Sequence, residues 1–268
     1  MRAAASVRLT AVFIAVFASL AIAQDKPASN APPATYEPRA GQQGKDVIWL
    51  PTPQIAVDKM LEIARVGPSD VVMDLGSGDG RTVITAAKLG ARAMGIEYNP
   101  DMVEFAKRSA ENAGVAASTS FVKADLFETD FSAASVITMF LLTDINMKLR
   151  PKLLTLKPGT RIVSNTFTMG EWEPDTRVSL VGQPGCDSSY CTVLYWVVPR
   201  KVAGTYNTAQ GEVMLKQEFQ MLTGTLGSGA AAQKIEGRVR GEEIEFSAGS
   251  KRYRGQLKGG ALELREAG

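Results

Sequence analysis

The chain has 268 residues, 45% apolar and 22% charged, a composition that suits a folded globular protein and excludes disorder over most of the length. Its formal net charge of +2 argues against a nucleic-acid grip built on bulk positive charge. Histidine is absent, which excludes Ser-His-Asp and Cys-His catalysis, His-ligated zinc and His proton shuttles together. Whatever chemistry the chain performs runs on carboxylates, backbone amides, Lys, Tyr, Asn or a cofactor.

Residues 1–23 read as an export signal. Arg2 and Arg8 supply a positive start, an apolar run from Ala11 to Ile22 is interrupted only by Ser19, and Ala21-Ile22-Ala23 matches a small-x-small cleavage site. The run is short for a bilayer span, which needs about 20 apolar residues. The expectation is therefore a cleaved signal and a periplasmic or secreted protein, with an uncleaved membrane anchor as the second choice. Residues 24–44 are rich in Pro, Ala, Gln and Gly and read as a flexible leader. No later segment has the character of a membrane span.

From residue 45 to 200 strands and helices alternate. Asp70–Leu75 reads as a short buried strand, followed by the turn Gly76-Ser77-Gly78-Asp79-Gly80-Arg81 and a helical pattern through Ala87. Ala91–Glu97 is a second strand. Asn99-Pro100-Asp101 opens a helix that Asn112-Ala113-Gly114 closes. Further strands are expected over 118–123, 135–142 and 160–167. A helix over 144–156 separates the last two, with Pro151 marking a start or a break. Repeated β-α-β units imply a doubly wound, mostly parallel sheet, whose ligands bind beyond the carboxyl ends of its strands.

That rule directs attention to the residues just after each strand. The first strand runs into D-x-G-x-G-x-G, with Arg81 where a dinucleotide fingerprint would place its third glycine. A nicotinamide-dependent oxidoreductase is disfavoured on that ground. Glu97 ends the second strand, where a carboxylate accepts from both ribose hydroxyls. Asp125 follows the third, positioned for an exocyclic adenine amine, and Asp74 sits where a carboxylate meets an ammonium. A pyrophosphate would be repelled by Asp74 and Asp79, whereas a cationic sulfonium would not. The ligand that fits is an adenosyl group with an amino-acid tail. Each acid has an ordinary alternative: Asp79 as a helix cap, Glu97 as a solvated strand end, Asp125 as a turn residue.

On these residues the sequence resembles the class I S-adenosylmethionine-dependent methyltransferases, from about Trp49 to Pro199. The run 72–81 with Gly95-Ile96-Glu97-Tyr98-Asn99-Pro100, and Leu50-Pro51-Thr52-Pro53 before a helix over Val57–Leu61, resemble the small lysine methyltransferases related to the mitochondrial ATP synthase c-subunit enzyme. The resemblance implies a Rossmann-like seven-stranded sheet ending in an antiparallel hairpin over 177–181 and 190–198. It implies S-adenosyl-L-methionine as cofactor, held by Asp74, Gly76, Ser77, Gly78, Glu97, Tyr98, Asp125 and Leu126. The acceptor would be a protein lysine or a small amine in the cell envelope, with no metal and no nucleic acid. Leu141-Leu142-Thr143-Asp144 contains no Asn-Pro-Pro-Tyr box, which weighs against amide and adenine-N6 methylation. Asn165 is the candidate for orienting an acceptor. Trp172 is the candidate for a cation-tolerant wall, with ordinary core packing as its alternative. The competing functional expectation is a non-catalytic nucleoside-binding module acting as an envelope interaction protein.

Cys186 and Cys191 are the only cysteines. In an exported protein a pair this close suggests a disulfide pinning a loop beside the hairpin, two reduced cysteines being the alternative. Residues 201–268 change character, with short alternating runs joined by glycine turns. They read as a small C-terminal antiparallel β unit or partial barrel, with Phe219 and Tyr253 packing inside it.

Overall fold

The computed structural model describes residues 36–187 and 189–267. The expected export signal, residues 1–23, and most of the expected leader, residues 24–44, lie outside the described residues.

Strand β1 (Val71–Leu75) is buried along nearly its whole length, because a central parallel strand is covered on both faces. It pairs with β2 (Arg92–Glu97) on one side and β4 (Val136–Met139) on the other, Asp74 lying level with Gly95 and Thr138. β3 (Thr119–Lys123), β5 (Arg161–Asn165), β6 (Thr176–Ser179) and β7 (Thr192–Val197) complete a seven-stranded sheet of order 3-2-1-4-5-7-6. The β5–β7 and β6–β7 pairs are antiparallel, so the expected final hairpin is present. Helices α1 (Gln54–Ile63), α2 (Arg81–Lys88) and α3 (Pro100–Asn112) cover one face, and α4 (Thr143–Leu153) lies with the core cluster of the other. α3 begins as its sequence dictates: Pro100 stands at the first helical position, and the Asn99 side chain accepts from the Asp101 and Met102 amides at 2.9 and 3.4 Å.

Pro151 corrects one expectation. It lies inside α4, in its last turn, where it neither starts nor ends the helix. So close to the end it costs one backbone hydrogen bond, and Leu154 N–H still reaches the Arg150 carbonyl at 2.9 Å.

The tail is a second seven-stranded sheet, an antiparallel meander of β8 (Gly204–Thr208), β9 (Gly211–Glu218), β10 (Met221–Leu226), β11 (Gln233–Arg240), β12 (Glu243–Ala248), β13 (Lys251–Lys258) and β14 (Ala261–Ala267). Alternate residues such as Val213, Leu222, Val239, Ile244 and Phe246 build its own core. Tyr253 packs there as expected, 5.3 Å from the Phe246 ring.

Phe219 does not. It occupies the two-residue turn between β9 and β10 with φ of 50°, a conformation that is costly for a bulky side chain. Its ring lies against the core of the first sheet, stacked on Trp172 at 6.1 Å. Gln220 beside it is buried and donates to the Glu173 carbonyl at 2.7 Å. Asp175 forms an ion pair with Arg238 and accepts from Val197 N–H at 2.8 Å. Two sheets that the composition separates at residue 200 are thus joined by a strained turn and by buried polar contacts.

Candidate active site

The carboxyl ends of β1, β2, β3 and β4 surround one crevice. Its floor is the turn after β1. Gly76, Gly78 and Gly80 all take positive φ, which a turn this sharp requires and which glycine adopts without a Cβ clash. Gly95 is dictated from the neighbouring strand: a Cβ there would lie 2.5 Å from Ser77 Oγ.

Asp74, Gly76, Ser77, Glu97, Tyr98, Asp125 and Leu126, all expected to hold the cofactor, line this crevice together. Gly78 is not among its walls, because the Trp49 indole covers it. The Gly78 N–H donates to Glu97 Oε2 at 3.0 Å, and Asn99 N–H donates to Glu97 Oε1 at 2.9 Å. Glu97 therefore ties the turn after β1 to the end of β2, in addition to presenting its carboxylate to the crevice.

Asp74 is almost fully buried. It accepts from the Thr138 hydroxyl at 2.7 Å. Burial pushes its pKa up to about 7; Asp79 and Glu97 add to the rise, and hydrogen bonds from Thr138 and Thr82 oppose it. Ser77 Oγ is buried with no hydrogen-bond partner. A buried acid awaiting a cation and an orphaned hydroxyl awaiting a polar atom are what a zwitterionic ligand would satisfy. At the opposite end Lys45 bonds Asp125 at 2.6 Å and lies 4.9 Å from the centre of the Tyr98 ring. Lys45 holds the Asp125 carboxyl below the usual carboxylate range, as does the Phe127 amide. The residues present thus fit an adenosyl ligand with an amino-acid tail: Asp74 and Ser77 would meet the tail, Glu97 the sugar, and Tyr98, Asp125 and Leu126 the base.

Residues 42–52 also line the crevice, a contribution that the composition of the leader does not announce. Gly41 N–H reaches the Trp49 carbonyl and Trp49 N–H the Gln42 carbonyl, both at 2.8 Å, which fastens this segment as a strap. Arg81, in the place of a third fingerprint glycine, holds the strap's end through the Thr52 carbonyl at 2.9 Å and pairs with Asp79 at 2.6 Å.

The two acceptor-side candidates are corrected. Trp172 is fully buried between Phe219 and Trp196, at ring distances of 6.1 and 6.2 Å, and is no wall of the crevice. Asn165 is also fully buried. Its amide donates to the Tyr190 carbonyl at 3.0 Å, so it fixes a loop of the protein itself. The two cysteines near that loop form a disulfide with Cα atoms 5.9 Å apart.

A mixed, mostly parallel sheet of this strand order with an acidic, glycine-floored crevice at its carboxyl edge defines a class I S-adenosylmethionine-dependent methyltransferase. A model of the ANTKMT methyltransferase domain matches residues 74–176. The protein-lysine N-methyltransferase of Saccharolobus islandicus (strain REY15A) is 49% identical over 131 residues, covering 48% of this chain and 81% of the relative. The adenine nucleotide translocase lysine N-methyltransferase of Mus musculus is 37% identical over 129 residues, 47% of this chain and 55% of its own length. A crystal structure of an RNA methyltransferase from Salinibacter ruber with bound S-adenosyl-L-homocysteine superposes with a TM-score of 0.53 at 48% identity, covering 57% of this chain and 96% of that one. This chain belongs to the ANTKMT methyltransferase family, and S-adenosylmethionine is its cofactor.

Replacing Glu97 with alanine is expected to weaken S-adenosylmethionine binding by about 1.5–3 kcal/mol, the scale of a hydrogen bond to a charged group. Calorimetric titration measures it. Unchanged affinity would remove Glu97 from the ribose contact and leave it only the Gly78 and Asn99 amides.

Proposed function

We propose that the enzyme methylates the side-chain amine of a lysine in a protein of the cell envelope. The observation that carries the acceptor is the 49% identity to a protein-lysine N-methyltransferase over most of that relative's length. The export-signal pattern of residues 1–23 supports the location, and so does the Cys186–Cys191 disulfide, a bond that persists in oxidising compartments. No helix among the described residues is long and apolar enough to cross a membrane.

S-adenosylmethionine, when bound, would supply an electrophilic methyl for transfer to the acceptor nitrogen, with S-adenosylhomocysteine as the co-product. The chain's residues supply placement. Asp74, ionised, holds the tail ammonium; Glu97 and Asp125 fix sugar and base; Trp49, Leu141 and Ile145 wall the crevice from water. An acceptor lysine must arrive neutral, against an unperturbed pKa of about 10.4, so partial desolvation beside the reacting methyl favours reaction.

Incubating the purified protein and labelled S-adenosylmethionine with envelope proteins and, separately, with bulk RNA tests this reading. The expected result is label on protein, at lysine by peptide mapping. Label in RNA, or cofactor binding with no transfer to any protein, would overturn it, the latter in favour of a non-catalytic binding module. Protein recovered from the envelope should begin at Gln24; an intact Met1 would indicate an anchored form.

A further inference from the structure

Three aromatic rings meet at the carboxyl edge of the first sheet, outside the set of residues that fits the adenosyl ligand. Phe140 directly follows β4 and lines the crevice. Phe167 lies two residues beyond β5, and Tyr190 precedes β7 in the loop beside the disulfide. Each ring touches the other two, with centroids 5.8, 6.0 and 5.9 Å apart. Phe140 and Phe167 are half-buried, and Tyr190 is 39% exposed. They make one continuous aromatic surface from the crevice wall to the outside.

The backbone beneath two of these rings is held by buried polar groups. The Phe167 carbonyl accepts from Ser164 Oγ at 2.7 Å and from Asn146 Nδ2 at 3.1 Å. Thr166, immediately before it, is kept at φ of 68°, an uncommon conformation for a β-branched residue. Asn165 holds the Tyr190 carbonyl. Ser164, Asn165 and Asn146 are each fully buried. Backbone strain and buried polar side chains spent on aiming two rings are what a recognition site requires and what a solvent-facing loop does not.

We propose that Phe140, Phe167 and Tyr190 form the acceptor entrance, an aromatic surface that takes the aliphatic stem and cationic head of a lysine, or of its methylated product, into the crevice. The proposal rests on the lysine reading above and adds the residues that select it. An aromatic face attracts an ammonium through its quadrupole and packs against methylenes with the same surface. It also retains a methylated ammonium, which still carries its charge. Asn165 acts through Tyr190 as a positioning residue.

The test is calorimetric, on protein saturated with S-adenosylhomocysteine. The probes are acetylated Nε-trimethyl-lysine amide and its uncharged tert-butyl isostere. Wild-type protein should bind the cation at least about fivefold more tightly than the isostere, the scale of a cation–π contact. Phe167→Leu and Tyr190→Leu should each abolish that preference while leaving the affinity for S-adenosylhomocysteine unchanged. Equal binding of the two probes by wild type, or leucine variants that keep the preference, would overturn the proposal. Tyr190 sits on an exposed loop, so its variant serves if Phe167→Leu fails to fold. Acceptor methylation is measured separately. Aromatic-dependent binding of the cation without lysine methylation would overturn the proposed function and leave the entrance standing. Lysine methylation with an unchanged KM in both leucine variants would do the reverse.

Discussion

Asp74→Asn is expected to lower the affinity for S-adenosylmethionine by about 10- to 100-fold and, at the same time, to stabilise the unliganded protein above neutral pH. Both effects come from one buried acid. Its pKa is about 7 in the fold and about 3.9 in an unfolded chain. Below about pH 4 both states hold the proton and Asp74 contributes nothing to the pH dependence. Between about 4 and 7 the unfolded chain has released a proton that the fold retains, so stability falls as pH rises. Above about 7 the penalty is complete, on the order of 4 kcal/mol. Asparagine keeps an oxygen for the Thr138 hydroxyl and carries no charge, so this slope should vanish. In wild type a cationic tail favours the carboxylate, so cofactor binding should release protons near neutrality and tighten as pH rises through about 7; in the variant it should be flat. Urea unfolding and cofactor titration at about pH 6 and pH 8, on either side of that value, read the two arms. Affinity that the substitution leaves untouched would take Asp74 out of the site.

Trp172→Ala is the second large effect, and it is one of folding. The side chain is fully buried against Phe219 and Trp196. Removing it should cost about 3–5 kcal/mol of stability, as for other large-to-alanine changes in cores, measured by the shift in urea midpoint. Phe219→Ala, in the tail, should lower the same midpoint, because its ring closes the other side of that cluster. At a permissive temperature the folded fraction of Trp172→Ala should bind cofactor normally. Full stability with impaired methyl transfer would return Trp172 to the acceptor role its sequence context suggests.

The crevice is legible in the pattern of residues because the residues that follow parallel strands gather at one edge of the sheet. An acid and a glycine turn after one strand, then an acid after each of the next two, can be counted along the chain, and β1 to β3 bring them to one crevice. The acceptor half is written differently. Phe140, Phe167 and Tyr190 come from three separate strand ends, and Tyr190 reaches the others only because β7 runs antiparallel between β5 and β6. No local spacing encodes that meeting. Asn165 and Trp172 lie at or after the right strand end, but a residue there can turn toward the ligand or toward the core, and its type alone does not say which. Trp172 turns inward because Phe219, far along the chain, arrives to cover it. In the tail, β8 and β10 are hard to read for a local reason: Gly204-Thr205-Tyr206-Asn207-Thr208 has almost no apolar alternation, and Gly224 interrupts the pattern of Met221–Leu226 where the β9 backbone passes too close for any side chain.

The strap over the crevice bears on how the protein can be trimmed. A fragment beginning at Lys45, where composition alone would place the edge of the folded region, loses Gly41 and Gln42 and with them both backbone ties to Trp49. The indole that roofs the glycine turn would then hang from one side only, and such a fragment would be a poor specimen for measuring nucleoside affinity. A fragment beginning at Tyr36 keeps both ties and also the phenol that the Gln42 amide meets at 2.5 Å.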